Sequence, residues 1–194
     1  LIFFNFSSNK NKDFLSLIYT GVIVMDTVST PTQIHTLNDK WNVYYHLPDN
    51  NAWDLASYTV LMDKVYSVES VIALSKEIHD NVIRNCMLFV MRDGISPMWE
   101  DKKNRDGGCF SYKVSNKFVP EVWNSLFYCL TGESLCINNK HNKYVNGITI
   151  SPKKNFCIIK IWLSTTDLKD PSCIINIPNL LKQGCLFKKH VPEF

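Results

Sequence analysis

Apolar and polar positions change their period several times along the chain, and each change marks an element. Residues 41–47 (WNVYYHL) are rich in aromatics and stop at Pro48, which suits a strand. Residues 48–52 (PDNNA) read as a loop with Trp53 at its far edge, and residues 58–66 (YTVLMDKVY) as a second strand. The spacing then turns helical over residues 67–80: Val68, Val71, Ile72, Ser75 and Ile78 share one face, and Ser67 is a good N-cap. Residues 85–91 (NCMLFVM) form a continuous apolar run, as in a buried strand, before an Asp93-Gly94 turn. Residues 109–114 alternate as a strand. Residues 118–130 predict a second helix, with Pro120 near its first turn and Gly132 just past its end. Residues 146–151 and 156–163 read as two strands around a PKKN turn, followed by a short helix over 178–183 and a last strand over 185–188. Many short strands and few helices predict an α+β fold, an antiparallel sheet with helices on one face. The other face of such a sheet can stay open and hold a ligand.

Length and composition narrow this picture. The 194 residues suit one domain that can bury a sizeable core, and 45% hydrophobic content excludes a disordered polymer. Residues 1–34 read as an N-terminal extension and 35–194 as the domain. The apolar run over residues 14–24 is too short to span a bilayer, and Met25 is a plausible natural start. Lys outnumbers Arg, and Asn and Ile abound, as in AT-rich coding sequences of some protists and large DNA viruses. A net charge of +3 excludes a histone-like carpet of charge but leaves room for a local phosphate-binding patch. The seven cysteines are scattered without a CxxC, which argues against a disulfide framework or zinc site and for small core residues in a reducing compartment.

The chemistry concentrates in residues 94–108, GISPMWEDKKNRDGG. A Trp beside two acids and a basic run fits neither a buried segment nor an idle wet loop. Trp53, Trp99 and Trp162 all fall at strand ends or loops, whereas Trp41 starts a strand and Trp123 lies within a helix. Taken singly, each is more often a core or rim anchor. Two loop indoles together can sandwich a flat base, at about 1–3 kcal/mol per stacked ring, with more for a cationic base. Glu100 follows Trp99. An ionised carboxylate only accepts hydrogen bonds, and guanine's Watson–Crick edge offers two adjacent donors that adenine lacks. Asp101 reads as a solvated surface acid. The Lys188-Lys189-His190 run reads equally as a solvated end, and Lys160 as facing away from Trp162.

That segment resembles the Pro-Met-Trp-Glu-Asp…Gly-Gly signature of the translation initiation factor 4E family, the cap-binding proteins of eukaryotic messenger RNA. Further matches stand in order: HTLNDKW (35–41), Trp53, SVESVIAL (67–74), CLTGES (129–134) and IKIW (159–162). The resemblance covers residues 35–162 and weakens beyond. It implies a curved antiparallel sheet of about eight strands with about three helices on the convex face. It implies 7-methylguanosine as ligand, with Trp53 and Trp99 stacking on the base, Glu100 reading its edge and Trp162 touching the methyl group. Phosphate contacts would fall to Lys153, in place of a family Arg, and Lys154. Asn155 and Ile158 stand where the family has lysines, and Cys109 where it often has Arg, so Lys188, Lys189 and His190 are alternative sources of charge. On the convex face the family binds a helical peptide of scaffold or repressor proteins. There His35, Leu37 and Val68 match, whereas Ile72 replaces a Trp, and Asn124 and Ser125 replace a Leu-Glu pair.

The resemblance therefore implies a cytoplasmic, monomeric, divergent cap-binding factor that recruits capped mRNA to translation, for a viral chain in its host's cytoplasm. The altered convex face keeps open an alternative, a repressor or partner-sequestering homologue. No HExxH, GxSxG or P-loop occurs, so no enzyme and no cofactor are expected.

Overall fold

The structure, a computed structural model, describes residues 33–47 and 50–192. The expectations for the apolar stretch at 14–24, for Met25 and for Pro48 lie outside those residues. Within them the chain builds β1 (Thr36–His46), a 3-10 turn (Leu55–Ser57), β2 (Tyr58–Ser67), α1 (Val68–Glu77), α2 (Asp80–Asn85), β3 (Met87–Arg92), β4 (Gly108–Ser115), α3 (Val119–Thr131), β5 (Val145–Pro152), β6 (Phe156–Leu163) and β7 (Leu186–Lys189). The strands form one sheet of seven among the described residues, ordered β2-β1-β3-β5-β6-β4-β7 and antiparallel throughout.

Successive strand residues point to opposite faces, and the sequence assigns the two faces different work. Val43, Leu88, Val90, Phe110, Tyr112, Ile148, Ile150, Ile159 and Ile161 join Val71, Trp123, Leu126 and Phe127 of the helices in one large buried cluster. Phe89, Met91 and Trp162 instead form a small cluster on the other face, with Tyr44, Tyr58 and Met87 packed against it. All three helices therefore sit on one side.

The helix predicted over 67–80 forms as α1 but stops at Glu77, and α2, which the pattern does not predict, follows it. Ser67 caps α1 as expected, accepting from Ser70 N–H, but Ile78 is extended (ψ 97°), and His79 Nδ1 accepts from Asn81 N–H to start α2. The helix expected over 178–183 does not form. Residues 178–179 make a turn instead, with Asn179 left-handed at φ 66°, a conformation that Asn tolerates better than most residues and that interrupts a helix.

Two features position the loop between β3 and β4. Arg92, the last residue of β3, ion-pairs with Asp39 and Glu133, donates to the carbonyls of Asn142 and Val145, and lays its guanidinium 4.6 Å from the Trp41 ring centroid. At the other end, Gly107 and Gly108 allow two backbone approaches. A Cβ at Gly107 would run into the Leu163 carbonyl, and one at Gly108 would lie 2.5 Å from the Phe187 ring. That is the physical reason for the Gly-Gly. Gly107→Ala is expected to cost about 1–3 kcal/mol through overpacking. Urea denaturation measures it, and an unchanged midpoint would contradict the contact.

Candidate functional site

The uncovered sheet face holds a cleft of about 620 Å³, lined by Trp53, Asp54, Tyr58, Met87, Phe89, Pro97, Met98, Trp99, Glu100, Thr149, Ser151, Lys160 and Trp162. Four residues singled out from the sequence, Trp53, Trp99, Glu100 and Trp162, thus meet at one cavity. Their elements are far apart in the chain: the β1–β2 loop, the β3–β4 loop and β6.

Trp53 is carried past the end of β1, where Asp54 caps the 3-10 turn by accepting from Ser57 N–H at 3.0 Å. His46 Nε2–H donates to the Ala52 carbonyl at 2.8 Å, which fixes the imidazole beneath the indole. The two rings stack, with centroids 4.3 Å apart and planes within 2° of parallel. Tyr58 then meets His46 edge-on, and Phe89 meets Tyr58 edge-on. This aromatic chain ties Trp53 to the sheet while the indole stays 54% exposed.

Trp99 and Glu100 ride on a loop organised around Asn104, which is fully buried. The Asn104 amide N–H₂ donates to the carbonyls of Ser96 (2.9 Å) and Met98 (2.8 Å), and its amide oxygen accepts from Asn146 Nδ2–H at 2.9 Å. The Asn104 backbone carbonyl accepts from His190 Nδ1–H at 2.7 Å. Asp101 is not the solvated acid the sequence suggests. Its carboxylate accepts from the backbone N–H groups of Ser96 (2.7 Å) and Lys103 (2.8 Å), folding the loop back on itself. With its own loop so held, Trp99 remains 37% exposed at the cleft.

Trp162 is buried, and its Nε1–H donates to Thr149 Oγ1 at 3.1 Å. His190 fills the space behind the indoles: its ring lies 5.8 Å from Trp99, nearly parallel, and 4.8 Å from Trp162. His190 is only 2% exposed, so the C-terminal run is not a solvated end at this residue. Burial holds its imidazole below the ordinary histidine range.

Lys160 overturns the expectation that it faces away from Trp162. The two are separated by one residue of β6, so they share a face, and both line the cleft. Its Nζ lies 5.3 Å from the Trp99 ring centroid. Burial pushes the Lys160 ammonium below the usual lysine range, with nearby Lys188 and Lys153 pushing it further and Cys109 partly opposing. It makes no ion pair with a described carboxylate. Tyr58 shows the opposite electrostatics: burial, then the charges of Glu100 and Asp54, push its phenol up to about 12. One end of the cleft is thus acidic and another basic.

Lys153 and Lys154 lie in the exposed β5–β6 turn, outside the residues lining the cleft. Lys189 is exposed on β7. Sequence reasoning missed Thr149 and Asn104. The period-2 pattern of β5 could have found Thr149, but nothing in the loop sequence marks Asn104 as its hub.

The convex face carries the other singled-out residues. His35 Nδ1 and a Glu69 carboxylate oxygen are 2.7 Å apart, and this contact holds the Glu69 carboxyl down to about 2. Leu37 packs against the core, Val68 and Ile72 are exposed one turn apart on α1, and Asn124 and Ser125 are half-buried on α3. Ser75 and Tyr128 join the two helices through a 2.6 Å hydroxyl contact.

Comparison with known proteins agrees with this architecture. The family described as Eukaryotic initiation factor 4E matches residues 36–191. Eukaryotic translation initiation factor 4E-1A of Danio rerio is 28% identical over 155 residues, covering 77% of this chain and 69% of that protein. The Saccharomyces cerevisiae factor is 26% identical over 185 residues, covering 87% and 81%. A homologue from Acanthamoeba polyphaga mimivirus is 34% identical over 88 residues, covering 45% and 30%. Among solved structures, C. elegans eIF4E-3 in complex with the 4E-binding protein Mextli and cap analog superposes with a TM-score of 0.62 at 21% identity, covering 69% of this chain and 76% of that one. Schistosome eIF4E complexed with m7GpppG and 4E-BP gives 0.62 at 21% identity, covering 70% and 75%. The match spans the whole sheet and its helices, and on that extent the chain belongs to the eukaryotic initiation factor 4E family.

Proposed function

We propose that the cleft binds the 7-methylguanosine cap of mRNA, clasping the base between Trp53 and Trp99, and that the protein thereby recruits capped mRNA to translation. The observation carrying this reading is the convergence of two exposed indoles, the Glu100 carboxylate and the Lys160 ammonium on a single cavity. Methylation makes the base cationic, so each indole face attracts it by about 0.5–2 kcal/mol beyond stacking. Glu100 accepts from the ring N–H and exocyclic amine of guanine, a charge-assisted pair that adenine cannot offer. Trp162, anchored by Thr149, meets the methyl group from the floor. Phosphates are drawn to Lys160, beside Lys188 and Lys153, rather than to a guanidinium; a lysine grips as a point charge without a fork.

The two solved structures named above are complexes with 4E-binding proteins, and here a helical peptide would meet Val68 and Ile72 on α1, next to Asn124 and Ser125 on α3. Aliphatic contact replaces an indole on that face. Ile72→Asp is expected to weaken binding of an amphipathic 4E-binding peptide at least tenfold without changing nucleotide affinity; equal peptide affinity would exclude this face.

Calorimetry with 7-methyl-GTP and GTP tests the cap reading. The methylated nucleotide should bind at least tenfold more tightly, and Trp99→Ala and Glu100→Gln should each remove about 1–3 kcal/mol. Equal affinity for the two nucleotides would refute it. For Lys160, affinity should fall as pH rises through its lowered pKa, because the ammonium loses its charge earlier than an ordinary lysine. Lys160→Arg stays charged and should flatten that fall, the base's own titration being common to both proteins. Superimposable pH profiles would remove Lys160 from the phosphate site.

A further inference from the structure

A second cleft, of about 400 Å³, opens farther along β6, a strand that also lines the first, and on its neighbour β4. Its walls include Lys113, Ser115, Asn155, Phe156, Asn179 and Leu181. The β4–β6 register puts it in line with the first cleft. Cys109 faces Trp162, Ser111 faces Lys160, Lys113 faces Ile158 and Ser115 faces Phe156. Alternation places all of these on the uncovered sheet face, and the walk from the Cys109–Trp162 pair to the Lys113–Ile158 pair is four residues, about 13 Å. Lys160 stands on the way, and Lys188 sits beside Cys109 on β7.

Three properties of this strip point to one kind of occupant. Its charge has one sign: among the described residues no Asp or Glu lines the second cleft, and none of Lys113, Lys160 and Lys188 is ion-paired to a carboxylate. It offers an aromatic platform, since Phe156 is only half-buried and the Lys113 ammonium rests 4.3 Å from its ring centroid. Its outer rim faces solvent: β7 pairs with β4 only as far as Ser111, and the rim residue Leu181 is 69% exposed. Cations that follow a backbone, interleaved with an aromatic ring on which a base can stack, are the recurring design of single-strand nucleic-acid grooves. An acidic protein segment would satisfy the lysines but leave the ring and the alignment with the first cleft unused.

We propose that the second cleft holds a nucleotide of the RNA downstream of the cap, with Phe156 stacking on its base and Lys113 swinging from that ring to its phosphate. This rests on the cap reading of the first cleft, because continuity with a nucleotide held there sets the polarity of the strand.

The test uses the full chain and its Lys113→Gln and Phe156→Ala variants against 7-methyl-GTP, a capped tetranucleotide and the same tetranucleotide uncapped. The wild-type chain should bind the capped tetranucleotide about tenfold more tightly than 7-methyl-GTP. Each variant should lose most of that increment while binding 7-methyl-GTP as before, which also verifies that it is folded. Lys113→Gln should make the slope of log affinity against log salt shallower by about 0.7 for the capped tetranucleotide alone. No increment in the wild-type chain, or equal losses for 7-methyl-GTP and the tetranucleotide, would overturn the proposal. Failure of the cap reading looks different: 7-methyl-GTP and GTP would bind alike. The uncapped tetranucleotide then decides, since a loss on Lys113→Gln keeps an RNA strand in the second cleft and no loss removes it.

Discussion

An antiparallel strand shows its side chains alternately to two faces, and among the described residues the helices cover only one of them. The arrangement of the cleft depends on that asymmetry. Ile159 and Ile161 of β6 point into the main core, so Lys160 and Trp162 must point the other way. Likewise Ile148 and Ile150 of β5 are buried against the helices, and Thr149 and Ser151 are left to line the cavity. A one-residue slip in either strand would place isoleucines in the cleft, and in β6 it would also put a lysine in the core. Packing of the covered face therefore sets the chemistry of the open one.

The loops that complete the cleft are held by polar contacts as well as by apolar burial, which in the β3–β4 loop falls to Ile95. Asn104 carries two carbonyl acceptors, one amide donor and one imidazole donor, all within hydrogen-bonding distance. A buried amide so fully partnered avoids the penalty of a few kcal/mol that an unsatisfied group carries. It also links the loop to β5 through Asn146 and to the segment after β7 through His190. His190 is thus a shared support for two indoles. Trp53 is held differently, by a parallel imidazole whose own N–H is anchored to a nearby carbonyl. Both exposed rings are backed from behind, which lowers the ordering cost of any flat ligand that enters.

Much of this was legible in the sequence, and for definite reasons. Strong local signals marked the strands and α3: β6 was bounded correctly by its apolar run, and α3 by Pro120 and Gly132. Trp53, Trp99, Glu100 and Trp162 stand out as a set, through loop indoles that can pair about a flat base, the acid beside one of them, and the resemblance of residues 94–108 to the family signature. Less legible were features set by tertiary context. α2 is a six-residue helix whose cap is a histidine, a weak signal next to the helical pattern that precedes it. Residues 178–183 carry helix-compatible side chains but turn at Asn179. Asp101 looked solvated because its partners are backbone N–H groups, which the sequence does not display. The misplacement of Lys160 was avoidable, since its spacing from Trp162 already set a common face.

The proposed binding mode would put a cationic purine between Trp53 and Trp99 with its edge against Glu100. A crystal structure of the protein grown with 7-methyl-GTP tests it most directly. The account predicts the base parallel to both indoles, a Glu100 carboxylate within hydrogen-bonding distance of the ring N–H and exocyclic amine, and the phosphates running toward Lys160. Nucleotide density elsewhere on the protein, or a base in the cleft that contacts neither indole face, would contradict it.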